Sequence, residues 1–304
     1  MISAPQPEAV EAGIEVLKAG GNLIDATVCA ALVQTAVDPQ MCGIAGFGNV
    51  QIFLPERGVH TTFDFHGRAP MAVKSDMWES LIEREAEDGW GFILSGRENE
   101  FGYGSISTPR TLATLDTILN LYGTQSLKEL IQPAIEYCRN GVLIRPHMSS
   151  FWNKPATAGR DPNIGMVNKF KETRKIYCDE SGSVKKVGDL LLNPDMAQVY
   201  QDIGNYGVNH FYSGEISQRI TSDMQKNGGL LALADLQECM PEENPPLWGT
   251  FCGYKIATNN PPGGGIMLVE MLNILEEFDL KNMGHNSVEY IKVVSEVMKI
   301  ATID

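Results

Sequence analysis

One stretch constrains the fold more than any other. Residues 26–37, Ala-Thr-Val-Cys-Ala-Ala-Leu-Val-Gln-Thr-Ala-Val, carry no charge and are small or apolar almost throughout. A helix of that composition has no face suited to water, so other elements must enclose it. It is preceded by Gly20-Gly21-Asn22-Leu23-Ile24-Asp25 and leads through Asp38-Pro39 to Cys42-Gly43-Ile44-Ala45-Gly46-Phe47-Gly48. A glycine-rich turn after a buried helix implies that the backbone at 43–48 approaches something closely. The alternating segment 49–54 that follows reads as a strand.

The rest of the chain supplies partners for that helix. Pro7 in a first turn, apolar residues at Val10, Ile14 and Leu17, and Gly20-Gly21 as a stop define a helix over 7–19. Residues 59–65, rich in β-branched and aromatic side chains, form a second strand, joined to the first by Pro55-Glu56-Arg57-Gly58. Residues 71–104 are poorly patterned and read as a surface excursion with a short helix near 77–86. Further helices are expected over 111–121, 126–139, 194–203, 214–226 and 266–278, with a short strand at 254–258. Residues 147–180 are mixed and polar. A last helix runs over 287–304 with its apolar pattern still open at Asp304. That ending suggests a truncated polypeptide or one piece of a larger assembly.

Composition enters as a filter on function. The formal net charge of −14 argues against nucleic acid or an anionic membrane as partner, since both require a basic face. No apolar run reaches membrane-spanning length. The first residues lack the basic and apolar regions of a secretion signal, which points to a cytoplasmic protein. Six cysteines without a Cys-x-x-Cys pair are too sparse for a disulfide scaffold and lack the clustering of a metal site. Cys42, beside the glycine turn, is the one worth testing as a reactive thiol, although no histidine adjoins it.

Phosphate-binding readings fail on order and composition. Gly43–Gly48 follows a helix, whereas a dinucleotide loop follows a strand and opens a helix. Gly263-Gly264-Gly265 does sit between a strand and a helix but lacks the Lys-Ser/Thr of a phosphate loop, which favours tight strand–helix packing there. The five histidines are dispersed and no Gly-x-Ser-x-Gly elbow occurs. The most chemically loaded stretch is Asp64-Phe65-His66-Gly67-Arg68-Ala69-Pro70, at the end of the second strand. Arg68 is suited to clamp a carboxylate bidentately, or to make a surface ion pair; the residues alone leave both open. His66 reads as a partly buried histidine with satisfied hydrogen bonds.

The chain resembles the γ-glutamyltransferase (γ-glutamyltranspeptidase) family along nearly its whole length. The matching pieces occur in family order: Glu11-Ala12-Gly13 with the 19–26 segment, the Gly43–Gly48 turn, Ala69-Pro70, Ser107-Thr108-Pro109 with Tyr122-Gly123, and Gln132-Pro133-Ala134-Ile135. They continue with Phe211-Tyr212-Ser213-Gly214, Asn227-Gly228-Gly229-Leu230, Pro261–Ile266 and Met271–Glu276. The resemblance implies an α/β (α+β) N-terminal nucleophile hydrolase fold, αββα in four layers and incomplete here, with 1–304 as the large-subunit part of one domain. It implies an amide-bond hydrolase or acyltransferase acting on γ-glutamyl compounds such as glutathione. In that family a precursor cuts itself, and the new N-terminal threonine of the small subunit is the nucleophile. No catalytic residue is then expected in this chain, nor any cofactor or metal. The implied partners are the small subunit of the same precursor, a small-molecule substrate and a heterotetramer.

Two departures from the family pattern bear on substrate. The slot of the carboxylate-binding arginine holds His66, and an arginine appears at Arg68, giving the Gly-Arg-Ala-Pro form of hydrolase and amidohydrolase relatives. A neutral histidine is a poor clamp, so Arg68 is the expected substrate contact, with His66 as the second. If the strand continues, the two point to the same side. The family's Thr-Pro-Gly has become Thr108-Pro109-Arg110, so the turn there should avoid positive φ. A related acylase with a different acyl group, or a non-catalytic remnant, are the alternatives.

Overall fold

The structure is a computed structural model that describes residues 1–303; Asp304 lies outside the described residues. In chain order it begins with α1 (Pro7–Lys18), α2 (Leu23–Val37), β1 (Gly48–Leu54), β2 (Val59–Phe65), β3 (Ile82–Glu85), β4 (Phe92–Leu94), α3 (Thr111–Tyr122), α4 (Leu127–Leu130) and α5 (Gln132–Asn140). The middle comprises β5 (Val142–Leu143), α6 (Pro146–Trp152), α7 (Asn163–Lys169), α8 (Lys171–Tyr177), β6 (Leu190–Leu191), α9 (Pro194–Tyr206), α10 (Asn209–Tyr212), α11 (Glu215–Lys226) and α12 (Leu233–Gln237). The chain continues through β7 (Glu242–Asn244), β8 (Leu247–Phe251), β9 (Tyr254–Thr258), α13 (Gly265–Leu275), α14 (Leu280–Met283) and α15 (Val288–Ile303).

These elements gather into two compact units: Met1–Gly46 with Gly67–Cys239, and Phe47–His66 with Met240–Asp304. The first unit is built on α2. Eleven of its fifteen residues are buried, by α1, α3, α4 and α5. Its start is set by a capping box in which the Asn22 side chain accepts from the Ile24 and Asp25 amides and Asp25 returns a bond to the Asn22 amide. Its buried hydroxyl is accounted for: Thr35 donates to the Leu32 carbonyl at 2.7 Å and meets the Tyr200 hydroxyl at 2.7 Å. Trp152, Tyr200, Leu32, Leu112 and Ile118 are among the largest fully buried side chains of this unit.

The second unit holds an antiparallel sheet in the order β1-β2-β7, with Val50 opposite Phe63 and Phe63 opposite Glu243. A β8-β9 hairpin packs against α13, which in turn packs against α15. The glycines at the start of α13 serve that packing: a Cβ on Gly265 would lie 2.1 Å from the Asn259 carbonyl oxygen. The tight strand–helix contact expected in place of a phosphate loop is therefore what the structure contains.

Several local expectations need correction. No helix forms over 77–86. The segment makes a 3₁₀ turn at Glu79–Leu81 and then strand β3, paired with β4, because the turn at Gly89 and Gly91 folds the chain back on itself. The single helix expected over 126–139 is two, α4 and α5, because Pro133 lacks an amide hydrogen and restarts the helix in its own first turn. Residues 147–180 contain α6, α7 and α8. In α15 the side chains of Val297 and Ala301 are buried, but Val288, Ile291 and Met298 are exposed.

Candidate active site

The glycine turn answers the question its sequence raised. The Gly46 carbonyl accepts from the Arg110 and Thr111 amides at 3.0 and 3.2 Å, and the Ile44 carbonyl accepts from the Leu112 amide at 3.3 Å. The turn thus caps the start of α3, where helix amides lack intrahelical partners. A Cβ on Gly46 would stand 3.0 Å from the Gly43 carbonyl oxygen, so glycine is the residue that fits. Arg110, at the N-cap of α3, has φ −121° and ψ −11°, which fulfils the expectation that the altered Thr-Pro-Arg turn avoids positive φ.

The same turn presents Thr108 to the backbone of Arg68. The Arg68 amide donates to Thr108 Oγ1 at 2.9 Å, Thr108 Oγ1 donates to the Arg68 carbonyl at 3.0 Å, and the Thr108 amide donates to that carbonyl at 2.9 Å. Thr108 is buried, while Arg68 is exposed. The backbone of the arginine is thus held while the residue as a whole stays exposed. Around it lies a cleft of about 110 Å³ lined by Arg68, Ala69, Met71, Thr108, Arg110, Asp235, Glu238 and Cys239. Asp235 braces the far wall, its Oδ1 accepting from the Met71 amide at 2.7 Å and its Oδ2 from the Ala232 amide at 2.8 Å. Burial pushes the Cys239 thiol up, opposed by the Arg110 guanidinium, the Thr108 hydroxyl and Arg68, and reinforced by Asp235. The lining carries two guanidinium groups, Arg68 and Arg110, and two carboxyl groups, Asp235 and Glu238; the guanidinium groups are the ones suited to an anion.

His66 lies elsewhere in the division of the chain. β2 ends at Phe65, so the strand does not continue through 66–70 and the same-side argument for His66 and Arg68 loses its basis. The boundary between the two units falls between His66 and Gly67. The His66 amide donates to Asp64 Oδ1 at 2.9 Å, and its Nδ1 lies 3.2 Å from both Asp64 oxygens, with the Phe47 ring tilted beside it, centroids 6.1 Å apart. Cys42 shows no sign of activation: burial, with the Asp38 charge second, pushes its thiol up to about 11. Among the described residues, no cluster of three His, Cys, Asp or Glu side chains is placed to hold a metal ion.

Thr108 and Asp235 escape sequence reasoning as site residues. Thr108 stood within a quoted motif, but its partner is forty positions away, and nothing local announces that contact.

The fold, a mixed α+β arrangement of the N-terminal nucleophile hydrolase type, defines the class. Its likeness to the γ-glutamyltranspeptidase of Helicobacter pylori is close: TM-score 0.85 at 28% identity, covering 99% of this chain and 81% of that one. The family model for γ-glutamyltranspeptidase matches residues 9–304, and the chain belongs to that family. It is 30% identical to the glutathione hydrolase proenzyme of Escherichia coli (strain K12), covering 100% of this chain and 50% of that protein. It is also 32% identical to the acylase ACY 1 proenzyme of Pseudomonas sp. (strain V22), covering 100% of this chain and 52% of that protein. The chain thus spans about half the length of the curated relatives it matches.

Proposed function

We propose that this chain is the large-subunit portion of an enzyme that hydrolyses or transfers γ-glutamyl groups, with Arg68 gripping the carboxylate of the acyl group. The observation that carries the reading is the arginine itself. Its backbone is held by three hydrogen bonds, it faces a small cleft, and it stands in the Ala-Pro motif of a γ-glutamyltranspeptidase family chain. His66, two residues earlier, is the second residue assigned to acyl recognition. The nucleophile belongs to a small subunit of the same precursor, consistent with relatives named as proenzymes. The second unit offers apolar surface suited to such a partner: Trp248, Ile266, Leu268, Val288 and Ile291 are all exposed. A heterotetramer is part of the same reading, testable by size-exclusion with light scattering.

The test uses the whole mature protein and a γ-glutamyl anilide. Turnover is expected, and Arg68→Ala should raise KM about a hundredfold, the cost of losing a charge-assisted bidentate pair. An unchanged KM removes Arg68 from the acyl site. A second reading, an acylase with a different acyl group, is favoured by the Gly67-Arg68-Ala69-Pro70 form and the identity to an acylase proenzyme. It predicts faster cleavage of a glutaryl anilide, which keeps the carboxylate and lacks the α-amino group. A cytoplasmic setting is part of the same reading, to be tested by cell fractionation. Among the described residues no helix is long and apolar enough to cross a membrane.

A further inference from the structure

We propose that Thr108 is a positioning residue for the acyl carboxylate, acting through Arg68; this rests on the reading of Arg68 given above. An exposed arginine on a loop is a mobile clamp unless its main chain is fixed, and a clamp must be held within about 0.5 Å of its working geometry to be effective. Thr108 supplies that restraint in an economical way. Its hydroxyl both accepts from the Arg68 amide and donates to the Arg68 carbonyl, at 2.9 and 3.0 Å, so one oxygen brackets both polar groups of the same peptide residue.

The residues that follow Thr108 are tied down in turn. The Tyr212 hydroxyl donates to the Pro109 carbonyl and accepts from the Ala113 amide, each at 3.0 Å, and the Gly46 carbonyl takes the Arg110 amide at 3.0 Å. The restraint thus runs from the buried glycine turn and Tyr212, through residues 108–110, to the main chain of Arg68. Every member lies within the first unit. Serine retains the bracketing oxygen. Valine keeps the size of threonine but removes the oxygen, leaving the Arg68 amide without that acceptor and the Thr108 amide bond to Arg68 in place.

The experiment compares Thr108→Val, Thr108→Ser and Arg68→Ala in the mature full-length protein on two substrates. One is a γ-glutamyl anilide; the other is a 4-aminobutyryl anilide, which lacks the α-carboxylate. Thr108→Val should raise KM for the γ-glutamyl substrate about tenfold with kcat within about twofold, the expected effect of loosening a substrate-positioning group. Thr108→Ser should restore the wild-type KM. Neither change should alter kinetics on the 4-aminobutyryl substrate, and Thr108→Val should add nothing in the Arg68→Ala background.

If Arg68→Ala raises KM but Thr108→Val does not, the positioning role is overturned while the arginine reading stands. If Arg68→Ala leaves KM unchanged, the arginine reading falls and the positioning role with it. A Thr108→Val defect equal on both substrates marks a merely structural threonine and also overturns the proposal. Should Thr108→Val fail to mature, Thr108→Ala replaces it with the same outcomes.

Discussion

Replacing Asp25 by asparagine tests how the central helix is held. Asp25 is fully buried, at 0% exposure. Its Oδ1 accepts from the Thr124 and Gln125 amides at 2.8 and 3.1 Å, and its Oδ2 from the Asn22 amide at 2.8 Å and the Thr124 hydroxyl at 2.5 Å. The carboxylate thus ties the start of α2 to the loop after α3. Burial alone would raise its pKa, but the Thr124 hydroxyl and the amides of Thr124, Asn22 and Gln125 outweigh it and hold the group below the usual carboxylate value. Asparagine keeps the shape and removes the charge. Three of the four bonds weaken by about 0.7 kcal/mol each: the two amide bonds to Oδ1 pass from a charged to a neutral acceptor, and the Thr124 hydroxyl, which donated to Oδ2, must turn to accept from the new amide nitrogen. The fourth is lost, because the new amide group faces the Asn22 N–H donor, at a cost of roughly 1–2 kcal/mol. The expected destabilisation is about 3–4 kcal/mol near neutral pH.

The pH dependence follows from the sign of the shift. A carboxyl group with a depressed folded pKa contributes stability that is complete above its unfolded value, here 3.8, and is lost as pH falls through the lower folded value. The gap between wild type and Asp25→Asn should therefore be constant from about pH 7 to about pH 4.5 and narrow below that. Urea unfolding at stepped pH measures it. A gap under about 1 kcal/mol at neutral pH, or one that stays the same at about pH 3, would refute the reasoning.

Other substitutions test neighbouring parts of the argument. Tyr212→Phe removes the hydroxyl that joins Pro109 to Ala113 and leaves a buried amide without its acceptor, so it should cost about 1–3 kcal/mol in denaturant unfolding. Iodoacetamide near neutral pH should label the exposed Cys252 well before Cys42, whose thiol burial pushes to about 11; mass spectrometry of the labelled peptides follows the order. The loss of carboxylate affinity expected for Arg68→Ala and the tenfold KM effect of Thr108→Val complete the set.

Much of the fold was legible because its signals are local. The uncharged run at 26–37 announced a buried helix, and β-branched residues around Pro55–Gly58 a hairpin, and each forms where expected. The misplaced elements share a cause. Residues 82–85 form a strand only because 92–94 pair with them, and β7 exists as a strand by pairing with β2, nearly two hundred positions earlier. The break at Ile131 was visible in principle, since Pro133 stands in the sequence as the second residue of α5.

The candidate site divides the same way. By itself, the sequence determined the buried helix, the glycine turn and the presence of an arginine beside Ala69-Pro70. These rest on composition and on motifs read within a few residues. What only the tertiary structure decided was the setting of that arginine. The strand stops at Phe65, Gly46 caps the start of α3, and Thr108 closes on the main chain of Arg68 from forty residues away. Hydrogen bonds between distant segments leave no periodicity or local propensity in the chain. They exist only once the core has brought α2, its glycine turn and the start of α3 together.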